Sequence, residues 1–544
     1  MSVSTGRVKR LTLAAAVALA WLFPVMAMAT DRYVSPSGTD TGNCSNISAP
    51  CKTPTYCFGQ MSAGDNCNLR AGTYTAPAGG FGFGQDRGCT AAAPCVIRGY
   101  QSEVAIIKPN SVTDINGTLQ VKGGSGTSGS YSGGAHYLQF AYLTIYGKIT
   151  ICSSPDCSGG GYNVPQGFAL HHSTIKCLTI GDNYCTNNAH IYTQLGDSSN
   201  TEPRTTANDG HIYENLFLED STCDYSWHTS ACNFEHSGTM TLYATYNWVI
   251  ENNDFRFAAG TSVPMAQAIF LKNSDGHDKI RYNYIEDNAS TAAAFRTGYD
   301  NPSSTLTLTK SGSNEFYQNV VNGTQMGIWY WGAPVSGSVS QGPTGTKVYN
   351  NTFFRSTGTG DYVAQHADDA TWTGVTSLEF FNNLSMGHWG YWIRWGNYPQ
   401  LTFPIHGSSP LSSYFTYLNN NLYYDPAGST AQWWEAGANV GNTLAAWTAR
   451  LSSEYPTLPA VTENASKWAN PNFVNAASKN WRLQAGSPAL TGGRGGSYST
   501  VLGAYVTGTE NIGCTFSPTC NAYGGSQTST SPSTVTGLTR TDAH

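Results

Sequence analysis

The sequence predicts an all-β chain wound as a parallel β-solenoid with an asparagine ladder and loop insertions. Three observations predict it: a short strand that recurs along the chain, one asparagine at the same place in each copy, and a composition that favours strands and turns. The recurring segments are "HIYENLFLED", "WVIENNDFRF", "KIRYNYIEDN", "NEFYQNVVNG", "KVYNNTFFRS", "LEFFNNLSMG" and "YLNNNLYYDP". Their shared asparagines are Asn215, Asn253, Asn283, Asn319, Asn351, Asn383 and Asn421, spaced by 38, 30, 36, 32, 32 and 38 residues. Two earlier segments, "LQFAYLTIYG" and "LHHSTIKCLT", match without the asparagine. A self-similar strand at such a period marks a solenoid or an array. Asparagine tolerates left-handed backbone and bonds neighbouring main chain, so stacked copies can bond each other. The spacing is long for a bare coil, so most coils carry loop insertions. A β-propeller is the alternative, but its own blade signature is missing.

Charged residues make up 11% of the 544, while Gly (59) and Tyr (32) are abundant, which disfavours long helices. The net charge of −6, with no basic run beyond the first residues, excludes nucleic acid as a partner. Residues 1–29 read as a signal peptide: Arg7, Lys9 and Arg10 precede the apolar run "LTLAAAVALAWLFPV", and "AMA" offers a cleavage site. The protein is therefore expected outside the cell or in a periplasm. No later segment is apolar enough to span a membrane. Fourteen cysteines fall as close neighbours: Cys44/Cys51, Cys57/Cys67, Cys89/Cys95, Cys152/Cys157, Cys177/Cys185, Cys223/Cys232 and Cys514/Cys520. In an exported chain this suggests local disulfides, and no pattern points to zinc. Residues 30–520 are expected to form one monomeric solenoid domain. The Ser/Thr-rich stretch 521–544 reads as a disordered tail. Within 431–455, Leu444, Trp447 and Leu451 at helical spacing suggest a helical excursion or cap.

A second set of apolar strands precedes the asparagine strands: "TLYAT" (241–245), "AIFLK" (268–272), "AAFRT" (293–297), "GIWYW" (327–331), "YVAQH" (362–366) and "YWIRW" (391–395). Aligned end to end, they put Lys272 level with Thr297, Trp331, His366 and Trp395, and leave Arg296 one position off that face. Phe270 and Trp329 share the Lys272 parity, and Arg394 adds a cation nearby, as does Arg281. An open row of aromatic rings and cations on a solenoid suits a long acidic polysaccharide. A lone strand-end lysine can equally be a solvated scaffold residue.

Two stretches carry a family resemblance. "RYVSPSGTDTGNCSNISAPCKT" with "GDNCNLRAGTY" resembles the opening of secreted right-handed parallel β-helix proteins of the pectate-lyase-like superfamily. "NPNFVNAASKNWRLQAGSPALTGG" is similar to their closing coils. Around Lys272, "FLKNS", "RYNYI" and "FRTG" resemble the chondroitinase B and alginate lyase family. That resemblance implies β-elimination on a uronic-acid polymer, with Lys272 as base and Arg296 as acid or charge partner. It also implies calcium, yet "SVPMAQAIFL" holds none of the family's upstream carboxylates, so no metal ligand is assigned and the cofactor stays unknown. The family's histidine after the arginine is Thr297 here. Two other readings remain: a non-catalytic glycan-binding surface or matrix protein, and a glycoside hydrolase. Hydrolysis would need paired carboxylates, drawn from Asp275, Asp278, Asp300, Asp368, Asp369 or Glu235, with His236 nearby.

Overall fold

The computed structural model describes residues 29–110, 118–127, 130–152, 165–176, 191–194, 207–219, 238–243, 245–257, 267–272, 276–287, 293–299, 313–324, 326–332, 345–366, 377–395, 415–428, 432–435, 438–517 and 520. The segments read as signal peptide (save Ala29) and as Ser/Thr-rich tail lie outside them.

Each repeat contributes one strand to each of three parallel sheets. The first sheet stacks twelve strands, from Asp31–Val34 to Phe415–Asn419. The second runs from Gly72–Thr75 through Asp254–Phe257 and Tyr284–Asp287 to Lys467–Trp468. The third runs from Phe81–Phe83 through Gln267–Lys272 and Ala293–Tyr299 to Gln432–Glu435. Two long strands, Thr352–His366 and Leu384–Trp395, pass through the bend and join the second and third sheets. Alternation then fills the interior. In the first sheet, Ile97, Phe140, Leu170, Ile212, Ile250, Ile280, Phe316, Val348, Phe380 and Leu418 lie in register and are fully buried. On the outer side, Tyr317, Tyr349 and Phe381 stack nearly parallel, with centroids 4.9 and 5.1 Å apart.

The asparagines occupy the turn between the first and second sheets and are all fully buried. Nδ2 of each of the first five donates to Oδ1 of the next at 3.0–3.1 Å, and the same Oδ1 accepts the backbone N–H of the asparagine before it. In four coils Nδ2 also closes the turn onto the carbonyl two residues earlier. The left-handed residue is not the asparagine itself but the one before it: Glu214, Asn252, Tyr282, Gln318, Asn350, Asn382 and Asn420 have φ of 52–60°. Positive φ is costly for a side chain. The buried asparagine offsets that cost by satisfying the turn's polar groups. Ser173 extends the ladder one coil further, donating its N–H to Asn215 Oδ1 and accepting from Leu143 N–H.

Glu463 ends the ladder at the other side. Its carboxylate accepts from Asn421 Nδ2, Tyr423 Oη and Ser466 Oγ, and the residue is fully buried. Burial pushes this carboxyl up to about 7. A raised acid binds its proton more tightly folded than unfolded. Its contribution is therefore full below about pH 4.3 and is lost as pH rises through 7. Glu463→Gln is expected to flatten the fall in melting temperature between pH 5 and 8 that wild type shows, which thermal scans across pH would test.

Both ends carry elements outside the repeat. Helix Pro54–Gln60, capped by Thr53 and started by Pro54, buries Phe58 against Phe83 (centroids 5.4 Å apart). Helix Leu444–Glu454 buries Trp447 and Leu451 as the spacing predicts. The stretch ahead of it forms an antiparallel hairpin, Gln432–Glu435 with Ala438–Gly441, not more helix. Four of the expected disulfides are present: Cys44–Cys51, Cys57–Cys67, Cys89–Cys95 and Cys514–Cys520. Cys152 is also disulfide-bonded. Cys157, Cys177, Cys185, Cys223 and Cys232 lie outside the described residues.

The segment expected to close the coils does something else. Phe473–Asn475 and Asn480–Leu483 pair antiparallel, and Trp481 packs on Phe354 from outside the second sheet. From there the chain runs back along the solenoid as a strap. Asn420 donates to Gly492 O, Asn382 to Ser499 O, Asn350 to Val501 O, Gln318 to Ala504 O and Asn252 to Asn511 O. The strap thus reads the left-handed residue of successive coils. It reaches Glu214, which accepts from Thr515.

Candidate functional site

The register of the third sheet decides which side chains share a face. Ile269 lies opposite Phe295, and Phe295 opposite Ile328; all three are fully buried. This sets Phe270 opposite Arg296, Arg296 opposite Trp329, Trp329 opposite Gln365 and Gln365 opposite Arg394. Lys272 lies opposite Gly298, and Gly298 opposite Trp331. The end-to-end alignment from sequence is therefore one residue out at three successive junctions, those that pair Gln267–Lys272 with Ala293–Tyr299, Ala293–Tyr299 with Met326–Gly332, and Met326–Gly332 with Thr352–His366. Arg296 belongs to the Lys272 parity, while Thr297 does not. His366 pairs with Tyr330 and Trp395 with His366, on the alternation of Leu271 and Tyr330, which are buried in the core. That register takes His366 and Trp395 off the Lys272 line. For Arg296 the physical reason is the alanine run 292–294. It offers no bulky side chain to mark the inward positions, and a one-residue slip exchanges the faces.

Arg296 is held by rings from both neighbouring coils. Its guanidinium carbon lies 4.4 Å from the Phe270 ring centroid and 4.3 Å from that of Trp329. The arginine is 1% exposed and Phe270 fully buried. Phe270 therefore supports the cation and has no open ring face for a sugar. Trp329 is half-buried and sits at the edge of the stack. The result is a fixed positive charge, oriented by flat apolar surfaces. Strand spacing of ~4.8 Å and a two-residue rise of ~6.6 Å put the Lys272 and Arg296 backbones roughly 8 Å apart on this face.

The other named residues fall elsewhere. Arg281 is on the first sheet, where Nε donates to Glu251 Oε2 at 2.6 Å and Nη1 to Tyr317 Oη at 2.8 Å. It is paired there and is not a cation of the Lys272 face. Asp278 is fully buried; Oδ2 accepts from Thr245 Oγ1 and Oδ1 from Trp248 N–H. It braces a turn and is closed to a glycosidic bond. Asp275, Asp300, Asp368, Asp369, Glu235 and His236 lie outside the described residues. Among the described residues no group of three His, Cys, Asp or Glu could hold a metal ion.

Sequence reasoning missed a second lysine on the same sheet. Lys148 follows Gly147 at the bend into the third sheet, where a Cβ on Gly147 would stand 2.6 Å from Thr118 Oγ1. The Lys148 carbonyl accepts from Thr118 N–H and Leu119 N–H at 2.7 and 3.2 Å. Its side chain leans one coil onward, with Nζ 4.4 Å from the Tyr192 ring centroid. Tyr192 in turn meets Tyr243 edge-on at 5.6 Å, and Tyr243 lies opposite Lys272. Lys148 is 8% exposed, and burial brings its ammonium down to about 8. The only signal in sequence was its place before the apolar run "ITIC". A lowered lysine binds its proton more tightly unfolded, so stability falls as pH drops from about 10.5 to 8. Lys148→Met is expected to raise stability at pH 7 by about 1–3 kcal/mol and to change nothing above pH 11. Denaturant titration at both pH values tests this.

The fold and this face define a parallel β-solenoid whose third sheet holds Arg296 between the rings of Phe270 and Trp329. Comparison with known proteins adds the following. Over 102 residues, 18% of the chain, it is 36% identical to pectate lyase PEL9 of Emericella nidulans. The matching segment spans 24% of that enzyme, about a quarter of its length. No family model matches the chain. Among solved structures, it is similar to XylC in complex with xylose (9% identity, TM-score 0.38, covering 72% of this chain and 83% of that one). It is also similar to pectate lyase Pel9A (13%, 0.35, 87% and 95%) and to the GH136 lacto-N-biosidase from Eubacterium ramulus (13%, 0.40, 73% and 64%). At these identities and scores the structural likenesses carry no argument about chemistry. Among the described residues no helix is long and apolar enough to cross a membrane.

Proposed function

We propose that the protein is a secreted, monomeric polysaccharide lyase that cleaves a uronic-acid-containing chain by β-elimination. The observation that carries this reading is the register that brings Arg296, clamped between Phe270 and Trp329, onto the Lys272 parity. Sequence similarity to a pectate lyase over 102 residues supports it. In this reading neutral Lys272 takes the proton from C5 of a uronate. The electron pair forms the C4–C5 double bond, and the C4–O bond breaks, its oxygen leaving with a proton from solvent. The Arg296 charge counters the negative charge that builds on the uronate as C5 is deprotonated. Trp329, Trp331 and Arg394 extend the sugar-binding row. His366 and Trp395, on the other alternation, are left out of the row. The residues at 262–271 contain no carboxylate, so no step is assigned to calcium.

Incubation with pectate, alginate, chondroitin and related polymers, read by ultraviolet absorbance of the unsaturated product, tests the reading. A rise on one polymer is the expected result. Binding without product on every polymer would sink the lyase reading in favour of a glycan-binding protein, and new reducing ends without absorbance would favour a hydrolase.

A further inference from the structure

We propose that Lys148, with Tyr192 and Tyr243, forms a subsite for an acidic group of the polysaccharide, three coils from Lys272. This deepens the lyase reading and rests on it. The first ground is an unbalanced charge. Among the described residues Lys148 has no hydrogen-bonding or carboxylate partner for its ammonium, only the face of Tyr192. On a residue only 8% exposed, an ammonium without an anion is costly, and a ring face returns only part of that cost. An incoming carboxylate or sulfate would complete the site.

The second ground is alignment. The third-sheet strands follow one another as Ile149–Cys152, Ile191–Gln194, Gly238–Tyr243 and Gln267–Lys272. Lys148 precedes the first of these, Tyr192 and Tyr243 lie on the next two, and Lys272 ends the fourth. The register sets Lys148 level with Ala268, so three strand spacings (~14 Å) and a four-residue rise (~13 Å) put the two lysine backbones roughly 20 Å apart on a diagonal track, long enough for several sugar rings. Tyr192 and Tyr243 stand between the two lysines, at 71° to each other. The third ground is placement: two backbone hydrogen bonds fix the Lys148 carbonyl, and the Tyr192 ring face, 4.4 Å from Nζ, sets where the ammonium lies.

The test compares wild type with Lys148→Met by calorimetry and turnover on uronate oligomers of increasing length. Chondroitin sulfate, a sulfated neutral polymer and a carboxyl-reduced oligomer serve as further arms. Lys148→Met is expected to weaken binding of long acidic oligomers about tenfold or more and to raise KM while leaving kcat in place. Oligomers too short to reach Lys148, and the carboxyl-reduced chain, should be bound equally by both proteins. The arm that loses most shows whether carboxylate or sulfate is recognised. Unchanged affinity for long acidic oligomers in the folded variant overturns the subsite alone. No wild-type binding of any acidic polymer overturns both the subsite and the lyase reading. Wild-type binding that depends on Lys148, with no product, keeps the subsite and removes only the lyase reading. Should Lys148→Met not fold, amine labelling of wild type takes its place. Long acidic oligomers should protect Lys148 from the label, and absence of protection overturns the subsite.

Discussion

Replacing Lys272 with alanine is expected to remove product formation by a factor of about 10²–10⁴, the usual contribution of a positioned general base. Melting temperature and oligomer affinity should stay near wild type, because Lys272 ends its strand and lies off the inward alternation of Ile269 and Leu271. The pH profile adds a second readout. A lysine base works only when neutral, so wild-type kcat should rise as pH climbs through the titration of the base. Arg296→Lys probes the partner. An ammonium cannot stack flat between Phe270 and Trp329 as a guanidinium does, so the charge remains while its placement is lost. The expected signature is a large fall in kcat with a small change in KM. Full activity in folded Lys272→Ala would remove the assignment. Full activity in Arg296→Lys would reduce Arg296 to a scaffold cation.

Much of the fold was legible because its determinants are local and repeated. An asparagine at one position per coil is visible in sequence, and the structure joins all seven into one ladder. Short cysteine spacings likewise gave four observed bridges. What sequence did not disclose depends on contacts between coils. The face of Arg296 turns on a one-residue register that "TAAAF" cannot express. At Asn350 and Asn382 the strap pairs residues more than a hundred positions apart, through side chains that look like ordinary turn residues. Lys148 stands in no motif; only its contact with Tyr192, 44 positions further on, singles it out. Asp278 shows the converse. Beside "NSDG" it invites a catalytic reading, yet its two carboxylate oxygens are taken up by Thr245 and Trp248.

The largest stability loss is expected for Asn319→Ala, in the middle of the ladder. Asn319 Oδ1 accepts from both the N–H and the Nδ2 of Asn283, and its own Nδ2 donates to Ile280 O, Tyr317 O and Asn351 Oδ1. Alanine removes every one of these at a position with no access to water. The backbone N–H of Asn283 is left buried without its acceptor, and an unsatisfied buried group costs about 1–3 kcal/mol. A small cavity and the loss of the turn-closing bond beside left-handed Gln318 add to this, so about 3–5 kcal/mol is expected in all. Asn319→Asp should be at least as harmful, because its carboxylate brings a charge into the row and no donor for Asn351. Gln318→Ala is the control. That residue carries the left-handed backbone but meets the strap only through bonds of 3.4 Å, so its loss should cost under about 1 kcal/mol. Equal losses at 318 and 319 in denaturant titrations would show that the turn backbone, and not the ladder, sets the stability of the coil. A large loss confined to 319 would place the strength of the solenoid in the row of buried amides, where each coil completes the hydrogen bonds of the one before it.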